Sequence, residues 1–80
     1  MTLTCRAELT ITTRNAGVVV GALTPEVSER VPRTSVEVVG GDGAVTIRVE
    51  AEDLASLRAA LNSYIRWADV AEETAEEARR

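Results

Sequence analysis

The sequence predicts an α+β fold of order β-α-β-β-α. Three antiparallel strands in the order 1-3-2 are covered on one face by two helices, a ferredoxin-like unit lacking its last strand. Three observations predict it. Residues 3–13 alternate, with Leu3, Cys5, Ala7, Leu9 and Ile11 on one side and Thr4, Arg6, Glu8, Thr10 and Thr12 on the other. Gly40-Gly41-Asp42-Gly43 separates two further alternating runs, as a hairpin turn does. An unbroken helical pattern then runs from Leu54 toward Arg80.

Length and composition bound the rest. Eighty residues make one domain, 1–80, and a chain this short buries only about 60–65% of its unfolded surface. The 45% apolar content is that of a globular protein. With 13 acidic and 9 basic side chains the net charge is -4, the wrong sign for a stand-alone nucleic-acid binder. One cysteine excludes an internal disulfide framework and a zinc finger. Histidine, the usual general base at neutral pH, is absent. Every basic residue is an arginine, so neither a P-loop lysine nor a Schiff base is available, and nothing calls for a cofactor or a metal. No apolar run approaches the roughly 20 residues that span a bilayer, and MTLTCRAELT does not read as a signal peptide. The expectation is a cytoplasmic protein with no membrane partner.

The first strand places Cys5 on its dry side, where a thiol acts as a small hydrophobe. Residues 15–24 predict a short helix, with Asn15 as its cap and the Thr24-Pro25 step as its end. Val18, Val19, Val20, Ala22 and Leu23 make it apolar nearly all round, so more than one side needs cover. Gly17 and Gly21, one turn apart, either admit another backbone or fit the helix onto its own sheet. Residues 25–33 read as a polar connection. The second strand sets Thr34, Val36 and Val38 against Arg33, Ser35 and Glu37; the third sets Val45, Ile47 and Val49 against Thr46, Arg48 and Glu50. Because a strand follows the glycines, they are not a phosphate loop.

Asp53 is the expected cap of the last helix. At 100° per residue, Leu54, Leu57, Leu61, Tyr64, Ile65 and Ala68 share one side, predicted to cover the sheet. Ser56, Ala59, Ala60, Ser63, Trp67 and Val70 share the opposite side, with Arg58, Asn62, Arg66 and Asp69 in a narrow stripe between. That second side reads either as a close-packing interface anchored by Trp67 or as exposed alanines with a tryptophan leaning on the core rim. Residues 70–80 are expected to project or fray as a solvated helical end. The unpaired edge of the first strand, with neither proline nor bulge to protect it, predicts a homodimer.

Two runs carry a family resemblance: Ser56-Leu57-Arg58-Ala59-Ala60-Leu61-Asn62-Ser63-Tyr64-Ile65-Arg66-Trp67, and Ala22-Leu23-Thr24-Pro25-Glu26 after a short first helix. Together they resemble the Pcc family of small KEOPS-complex subunits, the CTAG/Pcc fold group. The family pattern is an apolar helix ending in Leu-x-Pro-Glu, then a hairpin, then a helix carrying Leu-Arg-x-x-Leu-Asn-Ser. The likeness covers nearly the whole chain in the same element order; Val27 is a departure, standing where the family often has Asn or Asp.

The resemblance implies a non-catalytic dimeriser. KEOPS installs the threonylcarbamoyl group on the adenosine beside the anticodon of certain tRNAs, and its chemistry belongs to an ATPase-fold catalytic subunit. The small subunit docks its two helices on two helices of that subunit, and tRNA is engaged only by the whole complex. The resemblance places Val18, Val19, Ala22, Ser56, Ala59, Ser63, Trp67 and Val70 near the partner contact. Pro25, Glu26, Arg58, Asn62 and Arg66 match the motif, in a structural role or at the partner. Arg6, Arg33 and Arg48 are balanced by Glu8, Glu37 and Glu50 on the outer sheet face, which reads as a solvated surface. The competing reading is a free-standing homo-oligomer that binds a small ligand. No acid, base and nucleophile constellation supports an enzyme.

Overall fold

The structure, a computed structural model, describes residues 4–28 and 34–79, with the side chains of 26–28 outside the described residues. Leu3, Arg33, Arg80, the second half of the 25–33 connection and the side chain of Glu26 therefore lie outside them. The elements are β1 (Cys5–Thr12), α1 (Ala16–Ser28), β2 (Thr34–Gly41), β3 (Ala44–Ala51) and α2 (Leu54–Ala78). The sheet order is β1-β3-β2, with β3 antiparallel to both neighbours. Fold class, element order and topology are those the alternation and the glycine turn predict.

Register follows from the hairpin. Gly41 pairs with Ala44, so Asp42-Gly43 forms a two-residue turn, and Gly43 takes φ 75°, a conformation that favours glycine. The Gly43 carbonyl accepts the Thr13 N–H at 2.9 Å, tying the hairpin tip to the end of β1. The central strand then turns Val45, Ile47 and Val49 into the core, where Val19 and Leu23 of α1 and Leu57, Ala60, Tyr64 and Ala68 of α2 meet them. Each such aliphatic side chain, fully buried, contributes about 1.5–3 kcal/mol. Asp53 caps α2 as expected: its carboxylate accepts the Ser56 N–H at 2.7 Å and the Ser56 hydroxyl at 3.1 Å.

Helix α1 differs from the sequence reading in three respects. It does not end at Thr24 but runs through Pro25 to Ser28. The missing Pro25 N–H removes a single helical bond within the last turn, and the Thr24 hydroxyl donates back to the Val20 carbonyl at 2.7 Å. Asn15 sits at the start of the helix and its carbonyl accepts the Val19 N–H at 3.0 Å, but its side chain does not cap. It is turned instead toward α2. Nor do Gly17 and Gly21 fit the helix to its own sheet: a Cβ built on either meets no atom within 4 Å. The close approach lies at Gly40, against Val20.

Helix α2 is rotated from the expected setting. Its buried residues are Leu57, Ala60, Tyr64, Ala68, Ala71 and Ala75. Ala60, assigned to the outer side, is in the core; Leu54 and Ile65, assigned to the sheet, are 61% and 47% exposed. The alanine stripe at 60, 68, 71 and 75 lets the helix axis come close, and the packing seam follows the small residues rather than the largest ones. The end of α2 has contacts of its own. It is helical to Ala78, with Ala71 and Ala75 buried and Glu72, Glu76 and Arg79 bonded to the β1–α1 connection.

Candidate interaction surface

The two helices lie side by side on one face of the sheet, so each keeps a side away from it. On α1 that side holds Gly17, Val18, Gly21 and Ala22; Val18 is 53% exposed. On α2, Ala59 and Val70 are exposed, Val70 by 55%, and Ser56, Ser63 and Trp67 are half-buried. Val19 leaves the set: at 1% exposure it is a core residue of its own chain, because the turn that points Val18 outward points Val19 at the sheet. Trp67 stands edge-on to buried Tyr64, with ring centroids 5.2 Å apart at 82°, which fixes the indole at the rim of the core.

Four of the motif residues are on the surface. Pro25, Arg58, Asn62 and Arg66 are exposed, and the side chains of Arg58, Asn62 and Arg66 make no hydrogen bond or ion pair to another described residue.

Periodicity missed a second feature. An open groove of about 560 Å³ is walled by Ile11 of β1, Val19 of α1 and Ile65 and Ala68 of α2, with Asn62, Arg66, Asp69 and Glu72 around it. It adjoins β1, an edge strand whose dry-side Cys5, Ala7, Leu9 and Ile11 are only half-buried. Helix α1 leans on β2 more than α2 leans on β1, so β1 has the thinner cover.

The outer sheet face carries closed ion pairs. Arg48 donates to Glu8 at 2.8 Å and to Glu37 at 2.9 Å, and Arg6 reaches Glu50 at 3.0 Å. The bonds to Glu8 and then Glu37 raise the pKa of the Arg48 guanidinium further above its usual value. Among the described residues no group of His, Cys, Asp and Glu side chains is placed to hold a metal ion. No helix of the described residues is long and apolar enough to cross a membrane.

Fold and surface together define a small split β-α-β-β-α protein with an uncovered helical side and a bare sheet edge. Within that class the chain belongs to the Pcc1 family, described as transcription factor Pcc1, whose family model matches residues 4–76. Pcc1 is the KEOPS small-subunit family, a non-catalytic subunit type, and membership relates the chain to KEOPS in transcription or tRNA modification. A comparison with curated proteins found no matching relative.

Proposed function

We propose that this protein is the non-catalytic dimerisation and interaction subunit of a cytoplasmic KEOPS complex. Its helices dock on the catalytic ATPase-fold subunit and so support threonylcarbamoylation of the tRNA adenosine next to the anticodon. The observation that carries the reading is the outward side of the helix pair. Val18 and Ala22 on α1 and Ala59 and Val70 on α2 are apolar or small and exposed, with the Trp67 indole at the margin. Small residues permit a partner helix to come close, and an aromatic at the rim supplies an anchor. Arg58, Asn62 and Arg66, without partners among the described residues, are free to pair with a docked chain.

The homodimer uses the other bare feature, the β1 edge with its half-buried dry side and the flanking Leu54 and Ile65. A strand added there satisfies open backbone groups and covers apolar surface at once. Transfer RNA is met only within the assembled complex, since the outer sheet arginines are neutralised by Glu8, Glu37 and Glu50.

Co-expression with the catalytic subunit tests the docking. Ala59→Glu or Trp67→Asp is expected to abolish co-purification while the far-UV spectrum is unchanged; retained co-purification removes the reading. The groove beside Ile11 and Ile65 supports a second reading, a free-standing homo-oligomer that binds a small apolar ligand. Failure to capture the catalytic subunit, together with a ligand carried through purification, favours that one.

A further inference from the structure

The last turns of α2 are held differently from the rest of it. Upstream, Leu57 and Tyr64 bury large side chains in the core. Past Ala68 the inward residues are Ala71 and Ala75, one methyl each. What holds this stretch is polar, and it converges on Asn15, which is 2% exposed.

The carboxamide Nδ2 of Asn15 donates to Glu72 Oε1 at 3.0 Å and Glu76 Oε2 at 2.7 Å. Its Oδ1 accepts from Arg79 Nε at 2.7 Å. The Thr13 hydroxyl donates to Glu72 Oε2 at 2.5 Å and accepts the Asn15 N–H at 2.9 Å. Arg14 grips Glu76 through Nε and Nη2, at 2.9 and 2.6 Å. Thr13 directly follows β1, so Glu72 is already level with the end of that strand and the residues after it continue past it. An amide with both atoms engaged by the far helix joins the β1–α1 connection to the helix end at a single point.

We propose that residues 71–79 form a strap that opens and closes as a unit while the rest of α2 stays on the sheet, with Asn15 as its catch. Local opening free energies vary widely within one native structure, and a segment with little apolar burial held by a few polar contacts lies at the low end. Glu72 also borders the groove that Ile11 and Val19 help to wall, so opening widens that groove. The strap is thus a built-in control on access to that surface.

Amide hydrogen exchange on the full chain, followed by NMR at several low urea concentrations, tests it. In the unaltered protein, amides 74–79 are expected to exchange at least a hundredfold faster, relative to their intrinsic rates, than amides 60–68, through openings that urea barely affects. Asn15→Ala is expected to speed 74–79 a further tenfold or more and leave 60–68 within threefold. Arg14→Gln, a change at an exposed side chain that leaves Asn15 in place, gives a smaller rise in the same amides should Asn15→Ala fail to fold. The proposal is overturned if both groups share one urea-dependent opening in the unaltered protein. It is equally overturned if Asn15→Ala speeds both groups alike, or if the variants leave 74–79 unchanged, which is what simple end fraying predicts.

Discussion

Gly40 and Val20 meet so closely that a Cβ on the glycine would lie 2.7 Å from Cγ2 of the valine. This is where α1 lies down on β2. Valine in a helix has essentially one χ1 rotamer, so the methyl cannot swing aside. Gly40→Ala is therefore expected to destabilise the protein by about 1–3 kcal/mol, the usual cost of overpacking. Val20→Ala in the same chain should recover part of that loss. Urea unfolding of the two single variants and the double variant measures the coupling; strictly additive effects would show that the contact is not the cause.

The carboxyl of Glu76 is held down to about 2 from its ordinary 4.5, first by its hydrogen bond from Arg14, then by that from Asn15. A folded-state pKa below the unfolded one means that the carboxylate stabilises the fold at neutral pH. That contribution is present in full above about 4.5 and is lost as the pH falls through about 2. Glu76→Gln is expected to flatten the acid limb of the stability curve across that window and to leave its shape near neutrality unaltered. Trp67 fluorescence in a fixed urea concentration, read as a function of pH, follows it. An acid limb as steep as that of the unaltered protein would mean that other carboxylates carry the dependence.

The backbone plan was legible because short-range rules decide it. Alternation in residues 3–13, Asp-Gly in the hairpin and the Asp53 cap each act over a few residues. The setting of the helices was not. A helical wheel ranks Ile65 above Ala60 as a core residue, yet close packing selects the alanine and leaves Ile65 at the groove. Asn15 read as a cap because caps are local, whereas its actual partners are 57 or more residues away. A trace of that contact is present in Glu72 and Glu76, one helical turn apart, but the sequence does not say what they face. Val18 and Val19, alike in sequence and adjacent, have opposite fates for the same reason.

That pair supplies a clean separation of stability from docking. Val19→Ala removes two methyl groups from the core and is expected to cost about 2 kcal/mol. Val18→Asp changes an exposed side chain in the first turn of α1, where a negative charge suits the helix dipole, and should alter stability by no more than about 0.5 kcal/mol. The same Val18→Asp change is expected to weaken capture of the catalytic subunit at least tenfold, since it charges the outward side of the helix pair. Denaturation midpoints and a titration against the immobilised partner give the two numbers. A stable Val18→Asp protein that binds as before would move the docking contact off α1.

The dimer prediction rests on the opposite flank. Among the described residues strand β1 pairs only with β3, and its Leu9 and Ile11 are half-buried beside Ile65, which is 47% exposed. Pairing two copies through β1 brings the two α2 helices together over the seam, with Ile65 and Leu54 of each copy turned toward it. A carboxylate there would have to give up its water as the two helices close, beside Asp69 and Glu72, which already border the same groove. Ile65→Asp is therefore expected to split the dimer, and light scattering should fall from twice the chain mass of 8.6 kDa to a single chain. Val70→Asp places the same charge on the docking side and should leave the mass doubled while weakening partner capture. If Val70→Asp yields the single chain and Ile65→Asp does not, the two surfaces have been assigned the wrong way round; if the unaltered protein is itself a single chain, the β1 edge is not a dimer contact.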